Sequence, residues 1–390
     1  MIQRYIEKQL LFHLSFQPAV TLLGTRQVGK TTLVKSILSQ LPRSAIYLDL
    51  ENPTQRAIIE TDRELFIQSH QNEVVVLDEI QRLPDIFPAI RGFIDTDRRP
   101  GRFIFLGSAS FDLLKNTSES LAGRNSYLEL TPFLFQELPD ANYQTHWLKG
   151  GYPSAYLAEN DAIRQAWLQS FLLSYVEKDL PLLGLSANPA LIYRLLTMLA
   201  FSQGGLTNLS NLSNSLGIAQ PTLNRYVNFL EKSLFIRRLQ PYFVNIGKRL
   251  VKTPKLYLRD SGVVHHLLRI NDFDTLLSHP VAGGSWEGHI IEQIIPLLDW
   301  PFSPYFYRTS NGAELDLVIS SALKVELAIE IKLSNNPTLS RGTTLALTDL
   351  DNPPLLVITP SSDDYQLRPN VWVCSLETLS KHLAKWGLVR

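Results

Sequence analysis

GTRQVGKTT, residues 24–32, has the spacing Gly-x-x-x-x-Gly-Lys-Thr, with the strand-like VTLL before it and the helix-compatible LVKSIL after it. Glycines at these positions let backbone N–H groups wrap phosphates at a helix N-terminus. The reading assigns Gly24, Thr25, Arg26, Gln27, Val28, Gly29, Lys30, Thr31 and Thr32 to a nucleoside triphosphate, with Lys30 reaching the terminal phosphates. The Thr31 hydroxyl is then a magnesium ligand, so ATP and Mg2+ are the expected ligands. The companion is VVVLDEI: Asp78 ends an apolar run and suits the magnesium shell, and Glu79 suits polarisation of the attacking water. The alternative for this acidic pair is a solvated strand end.

Two further residues are candidates for the same chemistry. Ser108 follows the apolar run FIFLG, where a hydroxyl either senses the terminal phosphate or caps a helix. Arg124, in SLAGRN, is either a transition-state arginine, acting in cis or across a subunit boundary, or an ordinary surface arginine.

A second cluster lies in AELDLVISSALKVELAIEIKLS, residues 313–334. Strand alternation puts Glu330 and Lys332 on one face, with Val325, Leu327, Ile329, Ile331 and Leu333 on the other, as for a strand with one wet face. The turn Ser310-Asn311-Gly312 predicts a hairpin, and the next strand brings Asp316 beside Glu330. Glu287 shares a face with Ile290, Ile291 and Ile294 on a helix that Ser285 can cap. Carboxylates sharing a hard cation are what metal-assisted phosphodiester hydrolysis needs, so Glu287, Asp316 and Glu330 are candidate metal ligands, with Lys332 steadying charge.

A third feature is TNLSNLSNSLGIAQPTLNRYVNFLEKSLFIRRL, which reads as helix, turn at Gly217, second helix and a β-like tail, the layout of a winged helix-turn-helix. Leu212, Leu216, Ile218, Leu223, Val227 and Leu230 form its expected core. Gln220, Thr222, Asn224 and Arg225 then project outward, types that touch bases and phosphates. Residues 201–260 hold nine Lys/Arg (Arg225, Lys232, Arg237, Arg238, Lys248, Arg249, Lys252, Lys255, Arg259) against Glu231 and Asp260, an excess of +7 in a chain of net charge zero. That asymmetry favours DNA or another polyanion as partner; a module between domains or for a protein partner is the alternative.

These groups need elements to hold them. Continuous apolar runs at Ala19–Leu23, Ala45–Leu50, Val74–Asp78 and Phe103–Gly107, separated by helical stretches, predict a parallel sheet with helices on both faces. Helical periodicity dominates from about Phe133 to Gln203. From about Lys255 the order is a helix near Trp286, three strands, a helix around Arg341–Leu350, a strand Leu355–Thr359, and a terminal strand and helix. The expected class is multidomain α/β: residues 1–140 a P-loop AAA-like ATPase domain, 141–254 a helical region with the winged helix (about 190–250), and 255–390 a nuclease-like domain.

At 390 residues, 45% apolar and 19% charged, the chain is globular rather than disordered. A single cysteine, Cys374, excludes an internal disulfide framework and a cysteine-rich zinc site, and reads as a buried apolar residue. The N-terminus threads charges through its apolar positions and no run reaches the ~20 apolar residues of a spanning helix, so the expectation is a cytoplasmic protein without membrane insertion. His265 and His266 fall on a probable helix, one core and one exposed, with no chemistry assigned.

The P-loop, the DEIQ after the third strand, the LGS strand end, the SLAGR segment and GGYP at residues 150–153 together resemble a large prokaryotic AAA-type ATPase family with a C-terminal domain of unknown function. The resemblance covers nearly the whole chain and implies an AAA-like core, a helical region, a winged helix and a nuclease-like C-terminal domain. Asp316, thirteen residues, then Glu330-x-Lys332 is similar to the core motif of the restriction-endonuclease-like PD-(D/E)XK superfamily, although Leu315 stands where that motif has proline. Two functions follow as expectations. One is an ATPase whose nucleotide state controls DNA engagement and a nuclease-like domain. The other is an ATP-dependent regulatory switch that binds a protein partner, with a non-catalytic C-terminal domain; a homo-oligomer is a further expected partner.

Overall fold

The computed structural model describes residues 2–108, 120–206, 208–243, 250–322 and 324–389, which places Lys248 and Arg249 outside the described residues. The chain divides into two compact units where the sequence predicts three. The first comprises residues 1–133, 178–186 and 232–234; the second holds the rest, so most of 141–254 clusters with the C-terminal residues.

In the first unit, strands β1 (Ala19–Leu23), β2 (Ala45–Asp49), β3 (Val74–Asp78), β4 (Phe103–Gly107) and β5 (Asn125–Glu129) form a parallel sheet in the order β2-β3-β4-β1-β5. Their runs are continuously apolar because both faces are covered. Leu77, Phe103 and Phe105 pack with Ile59, Phe66, Phe87 and Ile90 from helices Pro53–Thr61, Arg63–Ser69 and Phe87–Thr96, while Val20, Leu22, Val76 and Ile104 are buried on alternate positions. Sequence analysis misses β5, because NSYLE is an edge strand with one fully buried residue and lacks the apolar signature. All five strands end on the same side, so the loops after β1 and β3 and Ser108 after β4 meet along one rim.

In the second unit, helices Leu209–Leu216 and Gln220–Lys232 flank Gly217, whose φ of +68° suits the left-handed turn, and an antiparallel ribbon follows of β6 (Ile236–Leu239) and β7 (Lys255–Leu258). A six-stranded mixed sheet has the order β12-β13-β11-β10-β9-β8. Its members are β8 (Phe302–Arg308), β9 (Glu314–Ser321), β10 (Lys324–Ile331), β11 (Leu355–Thr359), β12 (Tyr365–Arg368) and β13 (Val371–Ser375). The predicted hairpin forms, with Arg308 opposite Glu314 and Gly312 at φ +86°.

Two local expectations fail. The one wet face of β10 is absent, since Leu327 to Ile331 are all buried in a strand covered on both sides and a bulge at Val325/Leu327 breaks the alternation. Ser285 does not cap its helix, which starts earlier at Ala282; instead its Oγ is buried, receiving Trp147 Nε1 at 3.0 Å and meeting His265 Nε2 at 2.7 Å. The expected exposed partner of His265, His266, is half-buried, and Cys374 is fully buried. Among the described residues no helix is long and apolar enough to cross a membrane.

Candidate functional sites

The loop after β1 is held open by sterics and shut by hydrogen bonds. A Cβ on Gly24 would stand 2.5 Å from the Leu130 carbonyl oxygen, and Gly29 has φ +96°, so both glycines are required by the backbone. Gln27 takes φ +67° and is exposed, as is Thr32; Thr25 and Val28 are buried. Arg4 Nη1 donates to Val28 O at 2.9 Å, fixing the loop from helix Ile6–Leu14's preceding turn. Helix Lys30–Ile37 has no side-chain cap, so its first-turn N–H groups face the loop as phosphate donors. Lys30 is buried and donates to Gly24 O at 2.9 Å and Thr25 O at 3.0 Å; burial lowers its pKa, opposed by Glu79 and Asp78.

The acidic pair lies on the same rim. Thr31 Oγ1 donates to Asp78 Oδ2 at 2.5 Å, and the Tyr47 hydroxyl donates to the same oxygen, which raises the Tyr47 pKa through burial and the Asp78 charge. Hydroxyl and carboxylate side by side are hard oxygen donors of the kind Mg2+ takes, so Thr31 and Asp78 fit it. Glu79 sits at φ +53°, with Gln81 Nε2 donating to Oε2. Burial raises the Glu79 pKa against the opposing charges of Lys30 and Arg26, in the direction a general base needs. Ser108 ends β4 between β1 and β3, 4% exposed, and its Oγ has no partner among the described residues.

Arg124 lies away from the phosphate loop. It precedes β5 and its carbonyl oxygen accepts from Ala19 N, at the start of β1, whereas the phosphate loop follows the other end of that five-residue strand. Five residues of strand separate them by roughly 15 Å, and the guanidinium is held bidentately by Asp95 at 2.6 and 2.9 Å. A cis role at its own chain's phosphates is therefore excluded by strand polarity. Arg26, by contrast, pairs with Asp179 (2.5 Å) and Glu51 (3.0 Å). Burial disfavours its charge, but Asp179, Glu79 and Glu51 outweigh that and raise its pKa. Tyr47, Glu51 and Asp179 carry no sequence signal: each is a single polar residue in an ordinary strand, loop or helix.

In the second unit the acidic residues converge around a lysine. Lys255 Nζ lies 2.9 Å from Glu287 Oε1, 3.3 Å from Glu314 Oε1 and 3.9 Å from Asp316 Oδ1, and Tyr257 OH donates to Glu287 Oε1 at 2.5 Å. Asp316 Oδ2 accepts from Ile331 N at 2.8 Å. Glu330 Oε1 accepts from Lys332 Nζ at 2.5 Å and Thr343 Oγ1 at 3.2 Å. Burial and then the Asp316 charge push Glu287 and Glu330 each up to about 7. Glu287, Asp316, Glu330 and Lys332 thus share one network. Among the described residues no group of three His, Cys, Asp or Glu side chains is placed to hold a metal ion, and an ammonium stands among the carboxylates. In the sequence Lys255 is one of nine cations of a basic window, and Tyr257, Glu314 and Thr343 carry no signal of this network because Tyr257 meets Glu287, Glu314 meets Lys255 and Thr343 meets Glu330 only through the fold.

On the helix pair, Leu212, Leu216, Leu223, Val227 and Leu230 are buried and Ile218 is half-buried. Gln220 and Arg225 are exposed, and Thr222 and Asn224 half-buried. The basic excess shrinks on folding: Arg237 and Arg259 both bind the buried Glu292, Arg238 pairs with Glu231, and Lys255 is internal. Among the described cations of that window, Arg225, Lys232 and Lys252 are the exposed ones.

Comparison with known proteins divides the chain into three segments, where the fold forms two compact units. Residues 16–139 match an AAA domain, 140–274 a domain of unknown function (DUF8612) and 282–379 a second (DUF4143). The uncharacterized protein Rv2008c of Mycobacterium tuberculosis is 37% identical over 354 residues, covering 91% of this chain and 79% of its own, and the uncharacterized protein Mb2031c of Mycobacterium bovis matches equally. Among solved structures, replication initiator DnaA bound to AMPPCP and single-stranded DNA is 12% identical with a TM-score of 0.33, over 60% of this chain and 90% of that one. AMPPCP-bound DnaA from Aquifex aeolicus is 11% identical with a TM-score of 0.30, over 59% and 87%. Likeness that slight carries no argument here. At 37% identity along nine-tenths of its length, the chain belongs to the same family as the two mycobacterial proteins, joining an AAA domain to two domains of unknown function.

Proposed function

We propose that this protein binds ATP and hydrolyses it at the rim of the parallel sheet. The observation that carries the reading is the convergence of the Lys30 loop, the Thr31–Asp78 pair, Glu79 and Ser108 at the carboxyl ends of β1, β3 and β4. Loop and first-turn N–H groups bind the phosphates, and Lys30 exchanges its carbonyl partners for the terminal phosphate oxygens. Thr31, and Asp78 through the metal's outer shell, would hold Mg2+, which would supply charge neutralisation at the phosphates. Glu79 orients the attacking water and takes its proton, and Ser108 donates its hydroxyl to the terminal phosphate. The test is turnover of ATP by the full chain. Lys30→Ala should abolish it together with nucleotide binding. Glu79→Gln should keep binding and lose turnover by a factor of about 10²–10⁴; turnover that survives both changes refutes the assignment.

The finer reading is that nucleotide state governs DNA engagement by a winged helix formed by the pair Leu209–Leu216 and Gln220–Lys232 with the β6–β7 ribbon. It is supported by the exposure of Gln220 and Arg225 at the start of the second helix. Arg225→Ala should weaken duplex binding and reduce the slope of log affinity against log salt by about 1. A slope that does not move places the contact elsewhere. The C-terminal sheet keeps a nuclease-like order of helix, three strands, helix and strand, and we read it as a non-cutting platform, because Lys255 sits where a cation would be shared. Nicking of plasmid DNA with Mg2+ or Mn2+ that Asp316→Ala removes would reverse that reading.

A further inference from the structure

The rim needs a second cation at the terminal phosphate beyond Lys30, and Arg124 stands at the wrong end of the sheet to supply it. A cleft of about 270 Å³ in the first unit is lined by Ser108 and Gln81, the residue that holds Glu79, together with Arg26, Arg56, Arg82 and Asp179. Three guanidiniums and a buried serine hydroxyl without a partner among the described residues make this an anion-seeking surface. Arg56 pairs along its own helix with Glu60, and Arg82 reaches Glu51. Arg26 differs from both: it belongs to the phosphate loop itself, four residues before Lys30. It is also restrained, between Asp179 Oδ1 at 2.5 Å and Glu51 Oε1 at 3.0 Å. Asp179 is supplied by the segment Lys178–Ser186, which rejoins the ATPase unit after the chain has left it at Phe133.

We propose that Arg26 is the transition-state arginine of ATP turnover, acting in cis, and that Asp179 and Glu51 hold it in reserve and so set a low basal rate. The proposal rests on the ATP-hydrolysis reading above. In the step, the water oxygen bonds to the γ-phosphorus as the bond from that phosphorus to the β,γ-bridging oxygen breaks. Glu79 takes the water proton, ADP leaves with the electron pair on its β-phosphate, and the phosphoryl group departs as inorganic phosphate. Arg26 transfers no proton; its N–H groups leave the two carboxylates and donate to the charge growing on the phosphate oxygens. The segment carrying Asp179 thereby gains a means of throttling hydrolysis.

The test compares steady-state ATP turnover and binding of a fluorescent ATP analogue in the full chain, its Asp179→Asn variant, Arg26→Ala, Arg26→Lys and the double variant. Asp179→Asn should raise kcat several-fold with KM little changed. Arg26→Ala should lower kcat at least about a hundredfold while leaving analogue affinity within threefold. Arg26→Lys should restore little, because a lysine lacks the planar fork. The double variant, in which no carboxylate at 179 is left buried without its partner, should match Arg26→Ala and guards against misfolding of the single variant. A wild-type chain without Lys30-dependent turnover overturns the ATPase reading and this proposal together. Turnover that is present but unchanged or lowered by Asp179→Asn, or retained in the double variant, overturns the proposal alone.

Discussion

Lys255 and Glu287 form an ion pair of 2.9 Å inside the second unit, with the lysine side chain 3% exposed, in the midst of residues whose types suggest a metal centre. An internal ammonium satisfies buried carboxylates much as a divalent cation would, but it is covalently fixed and brings no open coordination position.

Lys255→Met should therefore destabilise the protein by about 3–5 kcal/mol at pH 8, because it leaves Glu287, Glu314 and Asp316 facing one another without their cation. Urea unfolding checks this. The deficit should shrink at pH 5.5, where Glu287, pushed up to about 7, is protonated. An equal deficit at both pH values would mean that packing of the lysine stem, not charge, is what was lost.

Gly150, in the GGYP segment, has φ +73° and lies against Asp260 and the Gly262 backbone, while Gly151 N donates to Asp260 Oδ2 at 2.8 Å. Gly150→Ala should cost about 2 kcal/mol or more, since both the backbone conformation and the space forbid a Cβ. Gly283→Ala, in a helix with open space around its Cα, should instead be neutral or stabilising by up to ~1 kcal/mol. Thermal unfolding of the two variants should move in opposite directions or, at the least, differ strongly.

Acid should act on two buried groups with opposite sign. Burial pushes His265 down to about 4, and it lowers His289 further below the imidazole range than its neighbours His146 and His265 do. Between pH 6.5 and about 4 the unfolded chain binds protons that folded His265 refuses, so stability falls as pH falls. Glu287 and Glu330, raised to about 7, hold protons in the fold between pH 7 and 4.5 that the unfolded chain releases, so stability rises as pH falls. His265→Gln should remove acid sensitivity worth on the order of 3 kcal/mol over its window, and Glu330→Gln should steepen the acid loss. Denaturant midpoints at pH 7.5, 5.5 and 4.5 read both effects.

Arg124→Ala should leave ATP turnover of dilute, monomeric chains within twofold of wild type, because the side chain is engaged with Asp95 at the far end of the sheet. A role across a subunit boundary would appear as a loss confined to concentrations at which the wild-type chain self-associates. A large loss at dilution would contradict the strand polarity described above.

The phosphate-loop rim is legible in the sequence because its parts are local: the loop spacing, the strand before it and the acidic pair each sit within a few residues, and the parallel strands gather them at one rim. The second-unit network is legible only in part. Asp316, Glu330 and Lys332 lie on adjacent strands whose register a short turn fixes, so their meeting follows from β periodicity. Their occupant does not, since Lys255 comes from a separate two-stranded ribbon about sixty residues earlier, and its burial reverses the meaning of the acids. The basic window is legible only in part for the same reason, as Arg237 and Arg259 meet Glu292 from elements with no sequence tie to it.

By itself, then, the sequence determined the phosphate loop, the acidic pair, the strand runs and the helix-turn-helix spacing, all set by local sterics and side-chain period. Tertiary structure alone decided which charges are neutralised and which stay poised: that Lys255 fills the acidic cluster, that Arg124 faces away, and that Arg26 is clamped by an aspartate more than 150 residues distant. Charge pairing depends on distance and burial in space, and neither is a property of spacing along the chain.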